Sequence, residues 1–192
     1  MISEIESFNE RDIYTIIPKL PHKIHILGSK WVFAYKLDKD NNLTRFKARC
    51  VAQGFTQIPG LNYNETFSPV VKIESIRMAV AMSLFYNMEM EQMDVSTAFL
   101  YGTLKEKNLM KIPLGFEKYD KAGLPYILDL KHSLYGLHQG SREWYLELRK
   151  SAESEGFIPM KSDPCVLLKY DEHKHKMLIL LVYIDDLIFI TN

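Results

Sequence analysis

Hydrophobic and polar positions repeat with two different periods along this chain, and the switches between them mark its elements. A short helix is expected to begin at residues 3–8. Residues 30–38 and 43–53 alternate with period two and are joined by Lys39-Asp40-Asn41-Asn42, a turn-forming run, so they predict a hairpin. Its alternation sets Arg45, Lys47 and Arg49 on one face and Phe46, Ala48 and Cys50 on the other. Residues 58–69, with Pro59, Gly60 and Pro69, read as loop. Helical spacing follows over 73–86, with Ile76, Ala79, Val80 and Leu84 as the inward face. An apolar strand is expected at 88–95, then a helical turn at 96–101 closed by Gly102.

Strands at 108–112 and 125–130 flank a loop around Gly115 and Gly123. Residues 141–155 predict a helix capped by Ser141, apolar along Trp144, Leu148 and Ala152, and stopped by Gly156. A second hairpin pairs 165–169 with 177–184, turning at 171–174, and 187–191 returns from a tight turn at Asp185-Asp186. With nothing after it to pair with, that last strand is expected to present an apolar sheet edge. Strands and helices mix without regular alternation, which predicts an α+β fold with an antiparallel sheet and packed helices.

Composition narrows little. Lys+Arg and Asp+Glu both number 24, so global charge names no partner. Locally, residues 30–49 hold Lys30, Lys36, Lys39, Arg45, Lys47 and Arg49 against Asp38 and Asp40, a charge of +4 that suits an anionic ligand. Cys50 and Cys165 lie in apolar surroundings without ligand spacing and are expected to be buried free thiols of a reducing compartment. The acidic N-terminus carries no signal peptide, and the apolar run 177–190 is short and holds two aspartates. No membrane partner is expected, and the location is cytoplasmic or nuclear. His173 and His175, beside Asp171 and Glu172, read as a solvated hairpin tip rather than a metal site.

The chemistry concentrates in two places. Tyr183-Ile184-Asp185-Asp186 sets two carboxylates between apolar flanks, where they are costly unless a cation receives them; hard oxygen donors suit Mg²⁺. Asp94 ends the earlier strand and, taken alone, reads equally as a capping aspartate or a ligand. Side by side, the two strands would bring Asp94 near Asp185 and hold a pair of metals for in-line phosphoryl transfer.

These residues sit within eight motifs in order: Trp31-Val32-Phe33, Arg45-Phe46-Lys47-Ala48-Arg49, residues 51–57, residues 65–70, residues 92–102, residues 133–139, Ser141-Arg142-Glu143-Trp144, and Tyr183-Ile184-Asp185-Asp186. Together they resemble the reverse transcriptase domain of copia-type retrotransposon Pol polyproteins. The resemblance implies a right-hand polymerase, with fingers at about 1–90 and 103–140 and a partial palm at 91–102 and 141–192. The thumb is expected to be absent. It implies RNA-directed DNA synthesis by two-metal nucleotidyl transfer, with two Mg²⁺ ions for which Mn²⁺ can substitute.

By the same resemblance Asp94, Asp185 and Asp186 are the catalytic carboxylates, and Asp94, Asp185 and the Val95 carbonyl hold the metals. Lys47 and Arg49 lie on the strand that meets the triphosphate, and which of them does so stays open. Tyr135 and Gly136 pack over the incoming nucleotide and template base. Phe99 stands where the family keeps a steric gate, although its own sequence context fits a core ring equally. The implied partners are an RNA or DNA template-primer, deoxynucleoside triphosphates, and the thumb, RNase H and integrase regions of a parent polyprotein. The implied location is a cytoplasmic virus-like particle or the nucleus. His138 and Gly140 depart from the usual residues, as do Thr103 and 105–108, all away from the chemistry. The alternative is a non-catalytic transposon relic with nucleic-acid affinity at most.

Overall fold

The computed structural model describes residues 1–19, 24–171 and 176–192, and within it the chain forms two compact units. The first comprises Met1–Thr66 and Phe99–Trp144, the second Phe67–Ala98 and Tyr145–Asn192. All strand ladders are antiparallel. The turn expected at 171–174, and the pair His173 and His175, lie largely outside the described residues.

In the first unit, helix α1 (Ile2–Glu10) is followed by strand β1 (Tyr14–Pro18), which pairs with β6 (Tyr126–His132), itself paired with β5 (Thr103–Lys111). Strands β2 (Ser29–Leu37) and β3 (Leu43–Ala52) form a separate two-stranded ribbon. Phe8, Ile13, Leu27, Met110, Leu128 and Leu134 make the core, which the ribbon joins at its base through Cys50 and Ala52 with Trp31 packed against it. There the Cys50 N–H donates to Glu4 Oε1 at 3.2 Å.

Register keeps the expected faces of the ribbon. Arg49 lies opposite Val32, Lys47 opposite Ala34 and Arg45 opposite Lys36, while Tyr35 and Phe46 pair on the other side. That other side is not a core face. Phe46 is 80% exposed, and Phe33 and Tyr35 are exposed too, because two strands alone have nothing to pack upon.

In the second unit, helix α2 (Ile73–Phe85) accompanies a five-stranded sheet of order β4-β10-β9-β8-β7. Its strands are β4 (Glu89–Asp94), β7 (Ile158–Pro159), β8 (Val166–Asp171), β9 (Lys176–Tyr183) and β10 (Asp186–Thr191). Helix α3 (Gly140–Ser154) starts in the first unit and ends in the second. Leu167, Ile179, Leu181, Val182 and Ile190 form the buried heart of the sheet. No helix among the described residues is long and apolar enough to cross a membrane.

Four expectations need correction. Strand β10 is not an edge: it is bonded to β4 on one side and β9 on the other, and β4 is the edge. Strand β4 is exposed along all six residues rather than buried, as its charged sequence suits an edge. On α2, Leu84 is 79% exposed, and Ser83 takes the inward position beside Ala79. Ser83 can do so because its hydroxyl donates to the Val80 carbonyl at 2.8 Å. Helix α3 begins at Gly140, so Ser141 lies inside the first turn and is not the cap. The stop is as expected: Gly156, at φ +88°, ends the helix.

Both thiols are free and buried, and burial pushes them up to about 12. Neither is a nucleophile at neutral pH.

Candidate active site

Strands β9 and β10 are joined by a two-residue turn, Ile184 and Asp185, closed by the pair Tyr183 and Asp186. Hairpin turns of this length favour a left-handed first position, which glycine or asparagine normally supplies. Here a β-branched residue takes it, Ile184 at φ +56°, a conformation that costs on the order of 1–3 kcal/mol and persists only where surrounding structure over-determines it. The surrounding ladders do so. Asp186 is paired with Tyr183 on one side and with Asp94 on the other.

Cross-strand partners point to the same face, so Asp94 and Asp186 present carboxylates side by side. Gln92, two residues back on that face, donates Nε2 to Asp186 Oδ1 at 3.2 Å. Asp185 is tied to the same strand through its backbone, since its carbonyl accepts the Val95 N–H at 2.9 Å. Thus the structure brings Asp94, Val95, Asp185 and Asp186 to one end of the β4–β10 ladder. Asp94 is exposed and the two others half-buried.

Among the described residues, no ion pair involves these three aspartates. Nor is any group of three or more His, Cys, Asp and Glu gathered to hold a metal ion. An all-protein cage is therefore not formed, but Mg²⁺ does not call for one. It is commonly held by one or two carboxylates, with water and substrate phosphates completing an octahedron. Two adjacent carboxylates without a protein cation fit that donor set.

The remaining predicted residues lie in the first unit. Arg49 stacks its guanidinium over Tyr135, 4.8 Å from the ring centroid, and Phe99 meets the same ring edge-on at 4.9 Å. These three form one cluster, with Phe99 and Tyr135 half-buried. Lys47 shares the face of β3 with Arg49. Partial burial, together with the neighbouring charges of Arg49, Lys36 and Arg45, holds its ammonium below the ordinary lysine range.

Gly136 is required where it stands. Its φ is +93°, and a Cβ would lie 2.2 Å from the Ala52 carbonyl oxygen. That close approach is fixed by the Ala52 N–H, which donates to the Tyr135 carbonyl at 2.9 Å.

With this geometry in hand, a family model described as reverse transcriptase (RNA-dependent DNA polymerase) matches residues 11–192. The chain belongs to the reverse transcriptase family. Its similar proteins include the retrovirus-related Pol polyprotein from transposon TNT 1-94 of Nicotiana tabacum, 40% identical over 99% of this chain and 14% of that polyprotein. The Pol polyprotein from transposon RE2 of Arabidopsis thaliana is 38% identical over the whole chain and 13% of its own length. The Ty1-BL Gag-Pol polyprotein of Saccharomyces cerevisiae is 26% identical over 87% of the chain. The match is thus to copia-type Pol polyproteins, of whose length this chain spans 9–14%. No solved structure matches it.

In this reverse transcriptase chain the Tyr135–Gly136 loop rests on buried carboxamides that sequence reasoning did not single out. Gln57 donates Nε2 to Asn108 Oδ1 at 2.9 Å and to Gln139 Oε1 at 3.0 Å, while its own oxygen accepts the His138 N–H at 2.8 Å. Asn108 and Gln139 each donate to the Asn62 carbonyl at 2.9 Å. All four residues are buried. Gln57 and Gln139 end two of the recognised motifs, but no local pattern separates a buried amide from a surface one.

Proposed function

We propose that this chain holds the nucleotide-selecting and metal-holding parts of an RNA-directed DNA polymerase, copying a primed template by two-metal nucleotidyl transfer. The observation that carries the reading is the placement of Asp94 opposite Asp186, with Asp185 tied to Val95 at the end of the same ladder. In this reading residues 1–90 and 103–140 are the fingers, and residues 91–102 and 141–192 the palm. Asp94, Asp185 and the Val95 carbonyl hold Mg²⁺, or Mn²⁺ in its place, and Asp186 is the third catalytic carboxylate. When bound, the two ions activate the attacking oxygen and neutralise charge on the leaving pyrophosphate.

The other roles fall to the cluster of the first unit. Lys47 or Arg49 receives the triphosphate, and the cation–π contact of Arg49 with Tyr135 fixes where that guanidinium points. Tyr135 and Gly136 form the surface against the nucleotide and template base. Phe99, held edge-on against Tyr135, is placed to exclude a 2′-hydroxyl by collision. Partners are the template-primer, deoxynucleoside triphosphates and the remaining regions of a Pol polyprotein.

The test is primer extension on an RNA template with Mg²⁺, using a complete Pol reverse transcriptase that contains this chain. Asp94→Asn and Asp185→Asn are each expected to lower the rate on the order of a thousandfold, as loss of several kcal/mol of charge stabilisation requires. Phe99→Ala is expected to raise ribonucleotide incorporation while largely sparing deoxynucleotide use. Extension that survives Asp185→Asn would sink the catalytic reading and leave nucleic-acid binding at most. Unchanged sugar discrimination would return Phe99 to a packing role.

A further inference from the structure

Within the second unit, α2, the β8–β9 hairpin and the segment before β8 line an open pocket of about 360 Å³. It exists in part because the helix turns small residues toward it, Ser75 and Ala79, leaving space that larger side chains would fill. The walls are Met78, Met82, Met160 and Met177 with Leu168 and Ile179. Methionine has three rotatable bonds and a polarisable sulfur, so a methionine-lined wall reshapes around different apolar guests.

Of the polar groups at the rim, Glu74 keeps an exposed carboxylate, free among the described residues, that repels anions, and the others are engaged with the protein. The Asp163 carboxylate, buried, accepts the Lys72 N–H at 2.9 Å, the Ser75 hydroxyl at 2.7 Å and the Cys165 N–H at 3.1 Å. Burial alone would raise its pKa, but these three donors outweigh burial and hold the carboxyl below the ordinary aspartate range. Lys72 itself donates Nζ to the Ser162 carbonyl at 2.8 Å. A ligand that needs the buried Asp163 carboxylate would have to break this arrangement.

Size and lining then select the guest. An apolar cavity of about 150 Å³ stays dry and takes benzene, and ligand pockets run from about 300 Å³ upward with mostly hydrophobic walls. We infer that this cavity is a binding site for a neutral, compact, largely apolar organic molecule of two or three rings. The site is separate from the carboxylates, and the inference does not depend on the polymerase reading. Met177 and Ile179 stand on β9, the strand that leads to Tyr183 and the Ile184–Asp185 turn, so occupancy stiffens the hairpin that carries Asp185 and Asp186.

Indole, a neutral bicyclic, is the probe, and the readout is the methyl spectrum of the 192-residue chain with ¹³C-methyl methionine. Saturable shifts are expected at Met78, Met82, Met160 and Met177, with Met1 and Met110 unmoved. Ala79→Phe fills the cavity and is expected to weaken binding at least tenfold. Should that variant unfold, Met78→Trp at the 66% exposed mouth makes the same test. Naphthalene-2-sulfonate, of similar bulk but charged, should bind at least tenfold more weakly than indole. Shifts without saturation, or equal across all exposed methionines, overturn the site, as does undiminished binding by the folded filling variants. A response to an amphipathic peptide but not to indole assigns the cavity to a protein segment and overturns the small-molecule reading.

Discussion

The β2–β3 ribbon and the β9–β10 hairpin both reverse the chain over a short turn, yet they are held by opposite means. The ribbon's turn is made by its own residues. Asp38 accepts the Asp40 and Asn42 N–H groups at 2.8 and 2.9 Å and the Asn42 side-chain amide at 3.2 Å, and the left-handed residue is Asn41, a type that tolerates φ +63°. Little tertiary structure supports it, and beyond Trp31 its aromatic residues Phe33, Tyr35 and Phe46 face solvent. The β9–β10 turn puts isoleucine in the left-handed position, which no local preference favours. It is held by ladders on both sides of β10 and by the buried residues of β9. The difference teaches where each geometry is stored: in local hydrogen bonds for the ribbon, in the whole sheet for the carboxylate hairpin.

Three measurements would break or sharpen that contrast. The largest expected effect is on the sheet. Leu181→Ala, at a side chain 1% exposed, should cost about 2–5 kcal/mol in urea unfolding, whereas Phe46→Ala on the ribbon should stay within about 0.5 kcal/mol. Comparable losses at the two sites would show that the ribbon is also held by packing.

Next in size is the turn. Ile184→Gly relieves strain on the order of 1–3 kcal/mol against a chain-entropy cost of about 0.5–1 kcal/mol. A net gain near 1 kcal/mol is expected, read as a higher urea midpoint at constant slope. A loss of stability would mean that Ile184 packing outweighs its backbone strain.

The smallest effect is acidic loosening of the ribbon. Hydrogen bonds from Asn42 and Asp40 hold the exposed Asp38 carboxyl below the ordinary aspartate range. Its folded pKa is the lower one, so its contribution is complete above the unfolded value, about 3.9, and fades as pH falls through the folded value. Amide exchange at Asp40 and Asn42 should lose protection in that acidic window, while the Val95 amide, bonded to a carbonyl, should not. Equal loss at all three amides would erase the distinction.

Local periodicity made the ribbon, α2, α3 and both strands of the Asp-Asp hairpin legible, because each announces itself over a dozen neighbouring residues. The β1 strand was missed, although Tyr14-Thr15-Ile16-Ile17 is a β-branched and aromatic run stopped by Pro18. What stayed hidden depends on distant partners. Nothing between Asp186 and Thr191 tells that β10 lies inside the sheet, since edge or interior is decided by β4, far back in the chain. Leu84 follows the helical period, yet Ser83 faces inward, because the choice is made by what the sheet offers α2. The aspartates were found by chemistry, since adjacent carboxylates amid apolar residues demand an explanation. Gln57, Asn62, Asn108 and Gln139 were not, because an amide is at home in water and reveals its burial only when its partners are seen.

The position of β10 has a consequence for how the molecule is made. Among the described strands β4 has a single neighbour in the sheet, and Gln92 meets its hydrogen-bond partner Asp186 at a separation of 94 positions. At about 5–20 residues per second, the ribosome needs roughly 5–20 s to supply that partner. Throughout the interval β4 waits with an open backbone ladder and with Met90 and Met93 in water, the condition in which nascent chains pair with one another. Interspersed with those methionines are Glu89, Glu91 and Asp94, whose mutual repulsion between copies guards the waiting strand. Asp94 thereby serves the newborn chain as a gatekeeper of its own strand.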